Sequence, residues 1–304
     1  AVMENAERRE ARLEKEKAAE KLGNAVVEKN TAEQNAEAAT AALDNAKNAK
    51  QEAENAVNNA QAAYDQAKKA YNEAVDTLEK GSPEYKEAVQ KVADARASLE
   101  DAKLQAKKKA EDVTNAETNL AQKQGERATA ELKVTNATAN VNKAEKAVEL
   151  EAAKETLASA KAEQTVKELA VEQAKEDYDK ASTNAATADA ELKKAEQKVA
   201  DAQAEFDSAG GNVQTAKDAL VQAQNEEQAA KDKKALADAE LSDAQKNQND
   251  LTASVEEIKK QITQAEQDVT SAQTTYNEAK QLADDAAVLI AKGSYGFFEY
   301  NGSA

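Results

Sequence analysis

The sequence predicts an all-α fold, an elongated antiparallel coiled coil of three long helices. The first observation behind this prediction is a heptad series from Ala11 to Ala74, in which alanine recurs every seven residues without a gap. Larger and mostly apolar residues, among them Leu22, Leu43 and Leu78, follow four positions later. This a and d spacing forms a seam along which another helix packs. The second observation is the composition of the chain. It has one proline, eight glycines and only 3% aromatic residues, which is typical of long helices.

Disorder is the competing interpretation of a chain that is 33% charged and poor in aromatic residues. The unbroken heptads and the high helix propensity of the residues between them argue against disorder. We therefore predict stable helices and take them in order along the chain.

The first helix is predicted to run from about residue 4 to Lys80. Gly23 is its only internal glycine and costs about 1 kcal/mol relative to alanine. The run Gly81-Ser82-Pro83 then marks a turn, because glycine suits the left-handed end of a helix, serine caps the next helix and proline suits its first turn. Since a link this short favours antiparallel neighbours, the chain is expected to fold back at residues 81–83.

The second helix is predicted to cover residues 83–208. Its small heptad series continues to Ala144 and returns in a different phase from Ala153 onward. This spacing is about two and a half turns at 3.6 residues per turn, so the stripe moves to the opposite side of the helix. No glycine or proline accompanies the change, which indicates a continuous helix that changes its partner. Lys123, Gly125 and Arg127 interrupt the first seam and mark a candidate soft spot or bend.

The second break is predicted at residues 209–212. Gly210 and Gly211 supply a helix-ending signal there, and Asn212 is a candidate N-cap for the next helix. The third helix is predicted to keep one phase from residue 212 to residue 292. Gly293, directly after Lys292, is expected to end it.

Folding the chain at both breaks gives a specific arrangement. Residues 1–150 form a first antiparallel hairpin, and residues 150–292 form a second one on the opposite face of the shared central helix. Residues 293–304 are expected to begin a following globular domain or a tail. The central helix would span about 185 Å, with three helices overlapping only near its middle. We expect a monomer held together by its own helices. A parallel dimer of single unbroken helices is the rival, and the two glycine breaks count against it.

The residue types exclude several kinds of chemistry. Without cysteine or histidine the chain has no thiol nucleophile, no imidazole base and no ordinary zinc site. Adjacent carboxylates such as Asp284 and Asp285 diverge on a helix and stay solvated. We therefore expect no catalytic residue, no metal ligand and no cofactor. The residues that we single out have structural roles, namely Gly81, Ser82, Pro83, Gly210, Gly211 and Gly293.

The net charge of −17 is spread over interspersed acidic and basic residues. An acidic chain without a basic stripe is a poor ligand for nucleic acid. No apolar run approaches the ~20 residues that a membrane span needs, so membrane insertion is not expected. No signal peptide is visible and the chain opens and closes inside patterns, which indicates an excised segment. The lack of cysteine is compatible with the cytosol and with an exported protein without disulfides.

The last twelve residues differ in composition from the rest, because they hold two of the three phenylalanines and three of the eight glycines. The run Lys-Gly-Ser-Tyr-Gly-Phe-Phe-Glu-Tyr-Asn-Gly-Ser at 292–303 resembles the lead-in to the SCP-like (CAP) domain of Gram-positive wall-anchored surface proteins. Surface-exclusion proteins of conjugative plasmids are members of that group with a long coiled-coil region. The resemblance implies an extracellular stalk, wall-anchored in the full-length protein, that displays a globular domain.

Three functional hypotheses follow. The leading one is a structural stalk or spacer that projects a terminal domain from a bacterial surface. Its partners would be its own helices and the downstream domain of the same chain. The second is an adhesion module whose helical faces bind a host or cell-surface protein. The third is an intracellular coiled-coil scaffold that dimerises.

Overall fold

The computed structural model describes residues 5–301, with side chains described up to Lys292. Three helices account for nearly all of this range: α1 spans Ala6–Thr77, α2 spans Pro83–Ser208 and α3 spans Val213–Asn301. The described residues contain no β-strand. The all-α fold of three long helices, broken near residues 81–83 and 209–212, is confirmed. Within the described range, no helix is both long and apolar enough to cross a membrane.

The turn between α1 and α2 is built from the three residues that mark it in the sequence. Helix α1 ends at Thr77, three residues before the predicted Lys80. Gly81 has a φ of +98°, in the left-handed region that glycine tolerates without strain. The Ser82 hydroxyl oxygen accepts a hydrogen bond of 3.2 Å from the backbone N–H of Tyr85. Ser82 therefore caps α2, and Pro83 is its first residue.

The turn between α2 and α3 has a different backbone. Helix α2 ends at Ser208, and the N–H of Ala209 donates a hydrogen bond of 3.3 Å to the carbonyl of Phe206, which tightens the last turn. Gly210 and Gly211 lie in the turn, and neither takes a positive φ. Helix α3 then starts with a bond of 3.2 Å from the N–H of Ala216 to the carbonyl of Asn212.

The predicted end of the third helix at Gly293 is wrong, because α3 continues to Asn301. This part of α3 contains Gly293 and Gly296, and each glycine inside a helix costs about 1 kcal/mol relative to alanine, which a long helix tolerates. No proline follows to force a stop. The interpretation of Phe297 and Phe298 as part of a following domain concerns side chains outside the described residues.

The chain divides into two units that we describe separately. Unit 1 consists of Ala1–Arg8 with Glu149–Thr275, and unit 2 consists of Arg9–Val148 with Tyr276–Ala304. The boundary thus falls within α2, at the point where the heptad phase changes. Unit 1 also contains the start of α1, up to Arg8, and unit 2 also contains the end of α3, from Tyr276 onward.

In unit 1, the second part of α2 packs antiparallel to α3. Three ion pairs fix the direction: Asp189 with Lys234, Glu191 with Lys233, and Lys198 with Glu226. As the residue number rises along α2, it falls along α3. The core between the helices is mostly alanine, in small clusters. One holds Ala185, Ala188 and Ala237 with Leu241 against them, and the next holds Ala202, Leu220 and Ala223 with Val199 and Phe206.

In unit 2, α1 packs antiparallel to the first part of α2. The rings of Tyr71 and Tyr85 lie beside the turn with centroids 6.1 Å apart and their planes tilted by 51°, and Glu28 pairs with Lys133 farther along. The last part of α3 belongs to the same unit and buries a group of alanines there. These are Ala279, Ala283 and Ala286, which are 2%, 3% and 6% exposed.

Helix α2 carries the change of register that the sequence predicts. Its buried alanines in unit 2 are Ala130, Ala137 and Ala144, one heptad apart. Its buried alanines in unit 1 include Ala174, Ala181, Ala188, Ala195 and Ala202, again one heptad apart. The second series is out of step with the first by two residues, and the helix is continuous between them.

Candidate functional site

A groove lies between α1 and α2 in unit 2. It encloses about 530 Å³. Helix α1 contributes one wall and α2 the other, at a level where the α2 wall contains Gly125. Six apolar or hydroxyl-bearing residues line much of the groove: Val27, Thr31, Ala32, Gly125, Thr129 and Ala130.

Asn35 and three charged residues, Glu28, Glu126 and Lys133, also line the groove, and each of the charged residues makes an ion pair. Lys133 lies 3.5 Å from Glu28 across the two helices, and both side chains are more than half exposed. Glu126 lies 3.4 Å from Lys123, one turn earlier on α2. Exposed pairs of this kind contribute about 0–1 kcal/mol to stability, because water competes for both charges. The groove is thus close to electrically balanced.

Val27 is the most exposed apolar side chain of the groove, at 64%. Apolar area left in water favours binding of another apolar surface by about 25 cal/mol per Å² buried. The lining supplies no thiol and no imidazole, and its charged groups are paired. The arrangement therefore suits contact with an apolar side chain or helix.

The residues singled out from the sequence do not assemble into one site. Gly81 and Ser82 lie in the first turn and Pro83 begins α2, whereas Gly210 and Gly211 lie in the second turn. Gly293 lies within α3 rather than at its end. The carboxylates of Asp284 and Asp285 are both exposed, and Asp285 accepts a hydrogen bond of 2.9 Å from Gln281. Among the described residues, no group of three acidic side chains is close enough to hold a metal ion.

The sequence does not predict the groove, although it marks the α2 wall as irregular. Lys123, Gly125 and Arg127 interrupt the seam and predict a weak point in α2. The helix passes through this point unbroken, with Lys123 paired to Glu126 and Arg127 bonded at 3.2 Å to Glu131. The α1 wall carries no such signal, because Val27 is off the alanine seam and resembles any other exposed residue.

Comparisons of the chain with protein-family models, with curated proteins and with solved structures find no match.

Proposed function

We propose that this chain is a structural stalk or spacer of a bacterial cell-surface protein, and that it holds a terminal domain away from the cell wall. The observation that carries the proposal is helix α2, which runs for 126 residues without a break. At 1.5 Å per residue such a helix is about 190 Å long. Protein cores of ordinary domains do not need helices of this length, whereas spacers do.

The packing of the helices supports the same role. Alanine seams give close and repetitive contact between helices, and most of the buried residues are alanines. The surface is acidic and laced with pairs three or four residues apart, such as Lys91 with Glu87 and Lys231 with Glu227. Pairs at this spacing stabilise a solvent-exposed helix by about 0.2–0.5 kcal/mol each. The role needs no catalytic residue and no cofactor.

The bacterial surface enters the proposal through the run at 292–303. Its resemblance to the lead-in of an SCP-like domain suggests a wall-anchored protein whose displayed domain follows this chain. The displayed domain and the anchor would lie in the full-length protein.

The stalk proposal is tested in the natural full-length protein on intact cells. An epitope is inserted at Gly81-Ser82 in one strain and at Gly210-Gly211 in another, since the space around these glycines is open. Immunogold labelling without permeabilisation is expected to detect both epitopes, at least one of them well clear of the wall. Labelling only after lysis would contradict a surface location and favour the intracellular scaffold. Labelling on the surface but flush with the wall would contradict a spacer.

A second candidate function is adhesion to a protein on a host or neighbouring cell. The observation that favours it is the groove with its exposed Val27. Its test is binding of the purified chain to intact cells, with Val27→Lys compared with Leu169→Lys. Leu169 is similarly exposed, at 60%, and lies in unit 1. Adhesion through the groove predicts that only Val27→Lys loses binding. Equal binding by both variants and the original chain would contradict it.

A further inference from the structure

Helix α1 begins with an incomplete cap of its own. Asn5 precedes the helix, and its side-chain oxygen accepts a hydrogen bond of 2.8 Å from the backbone N–H of Arg8. In a capping box, a glutamate or glutamine at this third helical position accepts a bond from the N–H of the capping residue in return. Arg8 has no acceptor atom and cannot do so. The N–H of Asn5 therefore needs a partner from elsewhere.

Glu155 of α2 supplies that partner from 150 positions away in the sequence. One carboxylate oxygen accepts a hydrogen bond of 3.0 Å from the N–H of Asn5. The other accepts a bond of 3.0 Å from the guanidinium of Arg8. Both carboxylate oxygens of Glu155 thus accept a hydrogen bond, one from the backbone of Asn5 and one from the side chain of Arg8.

The burial of Glu155 separates this contact from the other ion pairs between helices. Its side chain is 14% exposed, whereas Glu28 and Glu191 in comparable cross-helix pairs are 59% and 45% exposed. Water competes less for a shielded carboxylate, so hydrogen bonds to it are stronger. Removal of a shielded carboxylate therefore costs more free energy of unfolding than removal of an exposed one, because its hydrogen-bond donors are left without an acceptor.

We propose that Asn5, Arg8 and Glu155 form a clasp, a capping box completed across the chain, which fixes the first turn of α1 on α2. The alanine seam does not reach this turn, because its first alanine is Ala11.

The clasp is a positioning device, independent of the proposed stalk function. It makes the start of α1 depend on a residue in the middle of α2. Loss of Glu155 should therefore release the first turns of α1 and leave the rest of the helices in place.

The test is amide hydrogen exchange of the purified chain, read by mass spectrometry at peptide level. Glu155→Ala removes both acceptors and keeps α2 strongly helical, since alanine is the best helix former. We expect exchange in the first two turns of α1 to accelerate about tenfold, the size of a typical lost cap, with no change near the two turns of the chain. Glu28→Ala is the matched control, because it breaks an exposed cross-helix pair, and we expect less than about a twofold change around residue 28.

A local acceptor separates a clasp from an ordinary ion pair. Arg8→Glu in the Glu155→Ala background places a glutamate at the third helical position, where it can accept the N–H of Asn5, and it leaves no ion pair between residues 8 and 155. The clasp predicts that exchange in the first turns of α1 slows again in this double variant. Fast exchange in the double variant would overturn the proposal, as would unchanged exchange in Glu155→Ala. An equal acceleration along the whole chain in Glu155→Ala would also overturn it, because it would indicate general destabilisation.

Discussion

At the scale of single residues, the seam is controlled by the size of its alanines. Ala174 and Ala188 are each 2% exposed, so almost no space remains around their methyl groups. A leucine in such a place must displace its neighbours rather than fill a void. The close approach of the helices thus depends on the absence of larger side chains as much as on apolar character.

Replacement of Ala188 by leucine should destabilise the chain by about 1–3 kcal/mol, because it overpacks the cluster with Ala185 and Ala237. The matched control is Ala186→Leu, two residues away on the exposed side of the same helix, which should change stability by less than about 0.5 kcal/mol. Urea unfolding followed by circular dichroism measures both. Equal effects of the two substitutions would show that the alanine seam does not limit packing.

The tyrosine pair beside the first turn gives a prediction about pH. A hydrogen bond with Tyr85 raises the pKa of Tyr71, and the nearby charge of an ionised Tyr85 raises it further. The folded chain therefore holds this proton more tightly than the unfolded chain does. The resulting stability is present below the unfolded pKa of about 10 and is lost as pH rises through the folded value.

Tyr71→Phe removes this titration while keeping the ring. The urea midpoint of the original chain should exceed that of Tyr71→Phe near pH 8, and the gap should narrow as the pH is raised above 10. A constant difference between the two urea midpoints across this pH range would contradict the prediction, because it would mean that ionisation of Tyr71 does not affect stability.

At the scale of elements, the two turns look alike in sequence and differ in backbone. Gly81 needs a left-handed conformation, whereas Gly210 does not. A Cβ added at either position meets no other residue within 4 Å beyond its chain neighbours, so for alanine the two positions differ in backbone conformation alone.

Gly81→Ala should therefore destabilise the chain by about 1–2 kcal/mol, the cost of placing an alanine in the left-handed region. Gly210→Ala should be neutral or slightly stabilising, because it reduces the freedom of the unfolded chain without strain in the folded one. Thermal unfolding by circular dichroism compares them. A loss at Gly210→Ala as large as at Gly81→Ala would contradict this account of the turns.

The elements also show what the sequence could predict. Heptad spacing predicts three helices because it repeats over many turns, and Gly81-Ser82-Pro83 predicts the first turn because all three local preferences agree. The end of α3 was misjudged at Gly293, since one glycine is a weak signal against a long helix. The buried Ile258 occupies the small-residue series of α3, where residue size departs from the pattern.

The remaining features depend on residues that are distant in sequence. Glu155 looks like any other exposed glutamate of a charged helix until Asn5 and Arg8 are brought against it. The groove likewise needs Val27 of α1 opposite Gly125 of α2. The heptad pattern describes one helix at a time and does not show which residues of another helix lie beside it. Neither the clasp nor the groove can therefore be predicted from the periodicity.

At the scale of the whole molecule, the account depends on helices that find their partners within one chain. Glu28 and Lys133 lie 105 positions apart in sequence and make a contact of 3.5 Å in unit 2. Glu191 and Lys233 make the corresponding contact of 2.8 Å in unit 1. In one unbroken helix, 105 residues would separate Glu28 from Lys133 by about 160 Å.

The measurement that tests this claim most directly is the distance between two spin labels, attached to cysteines at Glu28 and Lys133 in a chain that has no cysteine of its own. Double electron–electron resonance is recorded with an excess of unlabelled chain, and light scattering gives the mass. We predict a label separation within about 20 Å, as for neighbouring packed helices, unchanged by the excess and with the mass of a 32.4 kDa monomer. A separation beyond the range of the method, or a short distance that disappears with unlabelled chain, would contradict the folded-back coil and favour a dimer.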